Sequence, residues 1–434
     1  MNIAGSYQSM FRIPELKRRL LFTGMILLVY RLGGHIPTPG IDRAALKGFF
    51  EQQSGSLMGL YDMFSGGNLS NATIFALGIM PYISASIIFQ LLQAVVPYFE
   101  KLAKEGEEGR KKLTQYTRFA TVGLALIQSF SMAAGLETMQ LGIVMHPGLP
   151  FRIMTAITLT AGTVFVMWLG EQITEQGIGN GISLIIFIGI VARYPYDILN
   201  TVQQLVSGEM HILKALIIGA FMMMVVAGII AITQGQRKIP VQYAKKIVGR
   251  RVFGGAATYI PLKVNTAGVI PIIFAQSIIM FPGTLGQMFP DNGFLASMSM
   301  FFRPPHPVYV LVYSALIILF AYFYTAVILN PVDLADNMKK NSGFIPGVRP
   351  GKKTAEYIDR VLTRVTLPGA IFLAVIAILP DLMISFLNVP FYFGGTGLLI
   401  VVGVALDTLQ QIESHLVMRH YDGFMSKGRL RARR

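Results

Sequence analysis

The sequence lacks cysteine and is poor in charge, and each shortage excludes a class of protein. Without a single cysteine in 434 residues, the chain has no disulfide, no thiolate metal site and no cysteine nucleophile. Charged residues make up only 14% of it, against roughly 25% in an ordinary soluble domain. Hydrophobic residues make up 53%. A soluble protein of this composition could not cover its surface with polar groups, so lipid is the expected solvent.

The charge that is present is mostly positive and unevenly placed. The chain has 37 Lys and Arg against 22 Asp and Glu, for a formal net charge of +15. A basic excess is typical of nucleic-acid binding, but here the basic residues are confined to particular connections between apolar runs. Their placement relative to the membrane therefore decides what the charge means.

Ten apolar runs approach the length of about 20 residues that a membrane helix needs. They cover residues 20–36, 72–96, 119–136, 153–169, 182–199, 213–233, 267–281, 308–329, 366–387 and 389–409. Lys and Arg concentrate before the first run, in the second-to-third, sixth-to-seventh and eighth-to-ninth connections, and in the C-terminal tail. Because basic connections stay in the cytoplasm, both termini are predicted to be cytoplasmic.

The predicted fold is an all-α integral membrane protein with about ten transmembrane helices. Two halves of five helices, residues 1–206 and 207–434, would have inverted topologies, because five is odd. No internal sequence repeat accompanies this division, so it rests on the topology. An inverted arrangement usually places the functional site between the halves, near the middle of the bilayer.

Residues 57–70, LMGLYDMFSGGNLS, are too short to span the membrane, and Gly66 and Gly67 interrupt them. The pattern leaves two alternatives open: a re-entrant helix, or an amphipathic helix lying flat at the interface. Proline and charged residues also interrupt the fifth, seventh and ninth predicted spans. Such interruptions are tolerated where protein or a water-filled cavity surrounds the helix.

Little in the sequence indicates catalysis. The six histidines are scattered, and no predicted span carries two carboxylates at acid–base spacing. The segment GIGNGIS, residues 177–183, follows a membrane helix instead of a strand, so it is interpreted as a tight turn and not as a phosphate loop. We therefore expect no enzyme activity, cofactor or metal.

Polar residues inside the spans are mainly glutamines. Gln90, Gln128 and Gln276 come from three different predicted helices. Because glutamines in membrane helices usually hydrogen-bond between helices, they predict a polar seam rather than a substrate site.

Two basic cytoplasmic connections, about residues 234–266 and 330–365, are longer than orientation in the membrane requires. They interleave aromatic and aliphatic residues with the charges. Projecting basic loops of this kind indicate docking of an acidic or nucleic-acid-bearing partner.

Seven blocks spread over nearly the whole chain resemble the SecY family, the central subunits of the bacterial protein-conducting Sec channel. They are GIMPYISASIIFQLLQ, GIGNGISLIIF, QGQRKIPVQYAKK, PLKVNTAGVIPIIFAQSI, NPVDLADNMKK, FIPGVRPGKKTAEYIDR and VPFYFGGTGLLIVV. The resemblance implies a clamshell of two inverted halves around an hourglass pore in the bacterial cytoplasmic membrane. It implies a gated channel that translocates unfolded secretory polypeptides and releases transmembrane segments sideways. The alternative, an inverted-repeat secondary transporter, would need a charged midplane site, which the sequence does not offer.

The resemblance also assigns roles to residues. It implies a pore ring of Ile79, Ile83, Ile182, Ile186, Ile273 and Ile400. It implies a plug within residues 57–70, centred on Leu60, Tyr61, Asp62, Met63, Phe64, Ser65, Gly66, Gly67 and Asn68, with the glycines as a hinge. The seam of Gln90, Gln128 and Gln276 would lie at a lateral gate between the second, third, seventh and eighth helices. The docking residues would be Arg250, Arg251, Arg349 and Lys352.

The same resemblance implies the partners. SecE and SecG would be the small membrane subunits, and the SecA motor ATPase or the ribosome would supply the driving force at the basic loops. Arg349 is the candidate for motor coupling, and Arg250 and Arg251 are candidates for ribosomal RNA, where phosphate contacts make binding salt-dependent. Signal sequences, nascent or precursor polypeptides and membrane lipid complete the set.

Overall fold

The computed structural model describes residues 13–52, 57–138, 142–208, 210–243, 246–248, 251–253, 257–288, 293–302, 306–387 and 395–427. Among them, seven helices are long and apolar enough to cross a membrane. An eighth is added if two helices that meet with a bend of 97° form one span. The prediction of an all-α membrane protein is confirmed.

One compact unit contains Met1–Ser207, Pro282–Met300 and Val404–Arg434. Its N-terminal helices are α1 (Pro14–Gly33), α2 (Arg43–Gln52), α3 (Leu57–Ser65), α4 (Met80–Val95), α5 (Pro97–Lys104), α6 (Glu107–Thr138), α7 (Leu149–Gln176), α8 (Gly181–Val191) and α9 (Tyr194–Val206). Five of them, α1, α4, α5, α7 and α9, have proline in the first turn, where its missing N–H breaks no helical hydrogen bond. Helix α8 begins with a side-chain cap instead, since Asn180 accepts the Ser183 N–H at 3.2 Å.

The other unit contains Gly208–Phe281 and Phe301–Gly403. The remaining elements in chain order are α10 (Ile212–Gln234), β1 (Gln236–Tyr243), β2 (Lys246–Val248), β3 (Arg251–Phe253), β4 (Ala257–Lys263), α11 (Ile270–Met288), α12 (Gly293–Phe301), α13 (Pro307–Ile328), α14 (Pro331–Lys340), β5 (Gly343–Phe344), α15 (Lys352–Leu387) and α16 (Gly395–Lys427). Three of the four unit boundaries fall within α11, α12 and α16, and the fourth follows α9.

The two basic loops of this second unit fold together as a small platform. Strands β4, β1 and β5 form an antiparallel sheet in that order. Ile239 and Val241 alternate inward along β1, at 2% and 0% exposure, and pack in a core with Ile358 of α15. The platform therefore has a hydrophobic core of its own, and its basic residues project from a folded base.

The second predicted span, residues 72–96, is wrong in its first third. Helix α4 begins only at Met80, and the preceding residues form turns. Ala72 and Gly78 have φ angles of 47° and 55°, a left-handed conformation through which a right-handed helix cannot continue. Non-helical backbone inside a bundle needs space, and Gly162 of α7 supplies it, because a Cβ there would overlap the Ile74 carbonyl.

Candidate functional site: a short buried helix and the helices around it

The segment predicted as a plug forms α3, a short helix buried within the first unit. Met63 and Phe64 are only 4% and 3% exposed. A helix lying flat at the interface would turn its apolar face to lipid, so this burial favours the re-entrant alternative. Gly66 and Gly67 follow the helix with φ angles of 73° and 81°, which favour glycine. The side chain of Leu60 lies outside the described part of the chain.

The end of α3 fits between α8 and the turn that leads into α4. A Cβ placed on Gly66 would lie 2.7 Å from the Cα of Gly189 in α8. A Cβ placed on Gly78, just before α4, would lie 3.3 Å from the Cα of Ser65. Backbone therefore meets backbone on both sides of the plug, and side chains larger than hydrogen would push the elements apart.

A buried hydrogen-bond network ties the same end of α3 to α1. The Tyr30 hydroxyl donates to the Ser65 carbonyl at 3.3 Å. The Asn68 amide donates to that carbonyl at 2.6 Å and to the Tyr30 oxygen at 3.2 Å. Buried polar groups need partners, so these contacts fix the turn after the plug in one arrangement.

The carboxylate of Asp62 connects α3 to the junction of α8 and α9. Its Oδ2 lies 3.3 Å from Nη1 of Arg193, and its Oδ1 accepts the Ser70 N–H at 2.8 Å. Burial raises the pKa of Asp62, while the Ser70 N–H and the Arg193 guanidinium oppose that shift. The negative charge of Asp62 thus depends on the two partners.

Four of the six predicted ring isoleucines lie at the start of α4 and in α8, next to the two places that the end of α3 contacts. Ile79, Ile83 and Ile186 are 2%, 4% and 1% exposed, and Ile182 is half-buried. Although α4 begins at Met80, the Ile83 N–H still donates to the Ile79 carbonyl at 3.1 Å. The pair is therefore one helical turn apart, as the spacing predicts.

The other two ring residues belong to the second unit. Ile273 of α11 and Ile400 of α16 are buried, at 5% and 0% exposure. The backbones that carry them approach closely, because Gly403 of α16 faces the side chain of Val269, whose carbonyl accepts the Ile273 N–H at 3.3 Å. This unit thus places its two predicted ring residues on elements in contact.

The three seam glutamines differ in how their amides are satisfied. Gln90 donates to the Ser86 hydroxyl at 3.0 Å, one turn earlier in α4. The Oε1 of Gln128 and the Nε2 of Gln276 are buried and have no hydrogen-bond partner among the described residues. A buried amide atom without a partner costs about 1–3 kcal/mol, so these two side chains are less favourably placed than that of Gln90.

Two of the four predicted docking residues have described side chains. Arg349 and Lys352 are exposed: Arg349 lies in a turn where Gly347 and Gly351 have φ angles of 82° and 94°, and Lys352 is the first residue of α15. The Arg349 carbonyl accepts the Thr354 hydroxyl at 2.9 Å, which fixes the backbone and leaves the guanidinium outside. Arg251 lies in β3 with its side chain undescribed, and Arg250 lies outside the described residues. In the part of the chain that the structure covers, no three His, Asp or Glu side chains cluster as metal ligands would.

The fold and this arrangement define a polytopic α-helical membrane protein in which a short, buried, non-spanning helix is seated against one span and against the turn that leads into another. The SecY family model matches residues 73–409. The chain is 49% identical to protein translocase subunit SecY of Escherichia coli K12 over 424 residues, covering 96% of both chains. It is 46% identical to the SecY subunit of Thermus thermophilus over 433 residues, covering 99% of both. The chain therefore belongs to the SecY family.

Solved structures agree at the level of the fold. "The structure of a protein conducting channel" matches with a TM-score of 0.64 at 18% identity, over 92% of this chain and 93% of that one. Sec61 in the canine ribosome–channel complex matches with a TM-score of 0.60, also at 18% identity, over 92% and 93% of the two chains.

The residues that hold α3 in place are not among those predicted from the sequence. Tyr30, Gly189 and Arg193 contact the plug from α1, from α8 and from the α8–α9 junction. Arg193 and Asp62 are 131 positions apart, so no local spacing indicates their contact. The only signal available was a lone arginine after a purely apolar run, opposite a short segment with a lone aspartate.

Proposed function

We propose that this chain is the channel subunit of a protein translocase: a gated pore that conducts unfolded secretory polypeptides and releases transmembrane segments through a lateral gate. The observation that carries the proposal is the seat of α3. Its end contacts both α8 and the turn into α4, the elements that carry four of the proposed ring residues. A helix so placed obstructs the path between them, and its removal would open that path. Membership of the SecY family favours this channel over the secondary-transporter alternative.

The isoleucine ring supplies a seal that adapts to its cargo. Branched apolar side chains make no directional bonds, so they deform around any side chain that passes. When the pore is empty, such a constriction excludes water and with it ions. Ile79, Ile83, Ile182, Ile186, Ile273 and Ile400 form this ring in the proposed channel.

The glutamine seam suits a gate that opens sideways. Interhelical hydrogen bonds in membranes are worth only about 0.6 kcal/mol on average. A hydrophobic signal helix could therefore displace them. The buried, unpartnered amide atoms of Gln128 and Gln276 support a seam that exchanges partners as it opens.

The proposed architecture has ten spans in two inverted halves, residues 1–206 and 207–434, with both termini in the cytoplasm of a bacterium. Seven helices, or eight with the bent pair, are long and apolar enough to span a membrane. Two further helices bring the proposed number of spans to ten. Helix α1 has 20 residues but carries Lys17, Arg18, Arg19 and Arg31, and α11 is a shorter apolar helix. Arg12 before α1, the basic residues in the first turns of α1 and those of the β-sheet platform support a cytoplasmic position for these regions.

The platform docks the partners that drive transport. The SecA motor and the ribosome would both bind it, with exposed Arg349 and Lys352 at the motor contact and Arg250 and Arg251 at ribosomal RNA. The folded base under the basic residues supports this role, since a docking surface must transmit force. SecE and SecG complete the complex in the cytoplasmic membrane. This chain is a passive conduit and not an enzyme.

A cysteine crosslink tests the pore directly, because the natural chain contains no cysteine. Ile83→Cys is combined with a single cysteine in a secretory precursor stalled in mid-translocation by a folded C-terminal domain. We expect a disulfide that requires SecA and ATP. Leu319→Cys, at an exposed position on α13, is the control and should give none. Export that proceeds without any crosslink from Ile83→Cys, Ile186→Cys or Ile400→Cys would contradict the pore assignment.

A further inference from the structure

The plug carries one acidic side chain, Asp62, and both of its oxygens are occupied. Oδ1 accepts the Ser70 N–H, which folds the turn after α3 back onto the helix. Oδ2 pairs with Arg193, and the side chains of Asp62 and Arg193 are 5% and 34% exposed. The carboxylate thus links the inside of the plug to a residue outside it.

Arg193 is itself held in position. It lies between α8 and α9, and its Nε is 3.9 Å from Oδ1 of Asp197, one turn further along. One guanidinium therefore faces two carboxylates, from α3 and from α9. If it were removed, two acids would remain near each other in a largely buried place, and an uncompensated buried charge is strongly destabilising.

The network from Tyr30 holds the end of α3 by hydrogen bonds between neutral groups, and the Gly66–Gly189 contact holds it by packing alone. Only the Asp62–Arg193 contact, among the contacts that the described residues make, pairs two charges between α3 and the spans, and charge-assisted contacts are the stronger ones. An ordinary ion pair between spans would stabilise the bundle without acting on the plug. Arg118 and Glu171, which join α6 to α7 at 2.8 Å in the same unit, are such a pair.

We propose that Arg193 is a positioning residue for the plug: it retains α3 against α8 by pairing with Asp62, and the strength of this pair sets how readily the channel opens. The inference rests on the proposed function, since it assigns a gating role to a contact of the plug. The pair is a latch that an incoming polypeptide must break.

The test measures opening of α3 in the full chain, assembled in its membrane complex. Ser65 is 0% exposed, so a cysteine at that position reacts with a membrane-impermeant maleimide only when the plug leaves its seat. Ser65→Cys is the background, and the reagent is added to each side of the membrane in turn. Each labelling rate is divided by the rate of the same variant in denaturant.

Arg193→Gln should accelerate labelling about tenfold, equivalent to about 1.4 kcal/mol of lost retention. Asp62→Asn should act in the same direction but less, because Arg193 then still has Asp197. Arg193→Lys keeps the charge and should stay closer to the parent. The double variant should not exceed Arg193→Gln alone, since both changes break one contact.

Glu171→Gln is the matched control: it breaks an ion pair of the same unit away from the plug and should leave labelling unchanged. Equal acceleration by Glu171→Gln would mean that the bundle has merely loosened, and it would overturn the latch. Rates within twofold of the parent for both Arg193→Gln and Asp62→Asn would overturn it too, whatever the Ile83 crosslink shows. Accelerated labelling in a chain whose Ile83→Cys never crosslinks would support the latch as the anchor of α3 and overturn the channel assignment instead.

Discussion

Alanine substitutions at Gly66 and Gly67 distinguish two contributions to the stability of the seated plug. One is the contact of α3 with α8, and the other is the backbone conformation of the turn that follows α3. Both residues have left-handed φ angles, 73° and 81°. An alanine in that conformation costs roughly 1–2 kcal/mol at either position. Their surroundings differ: a Cβ on Gly66 would lie 2.7 Å from the Cα of Gly189, whereas on Gly67 the nearest atom, Nδ2 of Asn71, would be 3.8 Å away.

Gly66→Ala therefore carries a steric cost that Gly67→Ala does not. The obstacle is backbone within a helix, which cannot rotate aside, so α3 or α8 must shift. Overpacking of this kind costs about 1–3 kcal/mol. We expect Gly66→Ala to open the plug roughly 5- to 150-fold more than Gly67→Ala, since each 1.4 kcal/mol is a factor of ten.

The labelling rate of Ser65→Cys measures this difference, with each rate referred to the same variant in denaturant. Because both alanine variants carry the same φ strain, their ratio isolates the contact with Gly189. A second readout is ion leak through the complex in vesicles, which should rise in the same order. Equal labelling of the two variants would refute the reasoning, because it would mean that α3 is not seated backbone to backbone on α8.

Three further outcomes follow from the packing and from the platform. Gly162→Ala should lower the thermal stability of the purified complex by several degrees or prevent its accumulation, because the new methyl group would overlap a carbonyl oxygen. Gly123→Ala is the control and should be neutral, since a Cβ there would have no atom within 4 Å. If Arg349 docks the motor as proposed, Arg349→Ala should abolish SecA-driven export at an unchanged membrane level, since its side chain is exposed. Export at the parental rate would contradict the docking role. Replacing Arg250 and Arg251 together by alanine should reduce the slope of log affinity for ribosomes against log salt by about 2, and an unchanged slope would exclude phosphate contacts there.

Hydropathy predicted which parts of the chain are membrane helices, but it did not predict where the backbone leaves the helical conformation. The predicted second span included the turns before Met80, because the Ala, Ile and Phe residues there are as apolar as those of a membrane helix. What excludes a helix is the left-handed φ of Ala72 and Gly78, which composition does not encode. The strand β1 was missed for a related reason, since its inward Ile239 and Val241 sit among basic residues that indicate a loop.

The site was predictable only to the extent that it could be carried over from the family. The isoleucines are ordinary core residues by pattern, and Ile79, Ile186 and Ile400 are as buried as any packing residue. Nothing in their spacing distinguishes a pore ring from a helix interface. The sequence gives a clearer indication of the plug than of the ring. A short segment that lies between two apolar runs and ends in two glycines is unusual in a helix bundle.

A plug imposes opposite requirements on its contacts, and these account for the chemistry found around α3. It must seal, which favours close apolar and backbone contact such as Gly66 on Gly189. It must also leave without unfolding, so its retention cannot rest on a large apolar interface, whose cost of separation grows with area at about 25 cal/mol per Å². A charged contact that is partly open to water adds retention without adding apolar area, so it meets the second requirement. Arg193 is 34% exposed and keeps Asp197 as a partner when Asp62 departs, so the latch can break without stranding a buried cation.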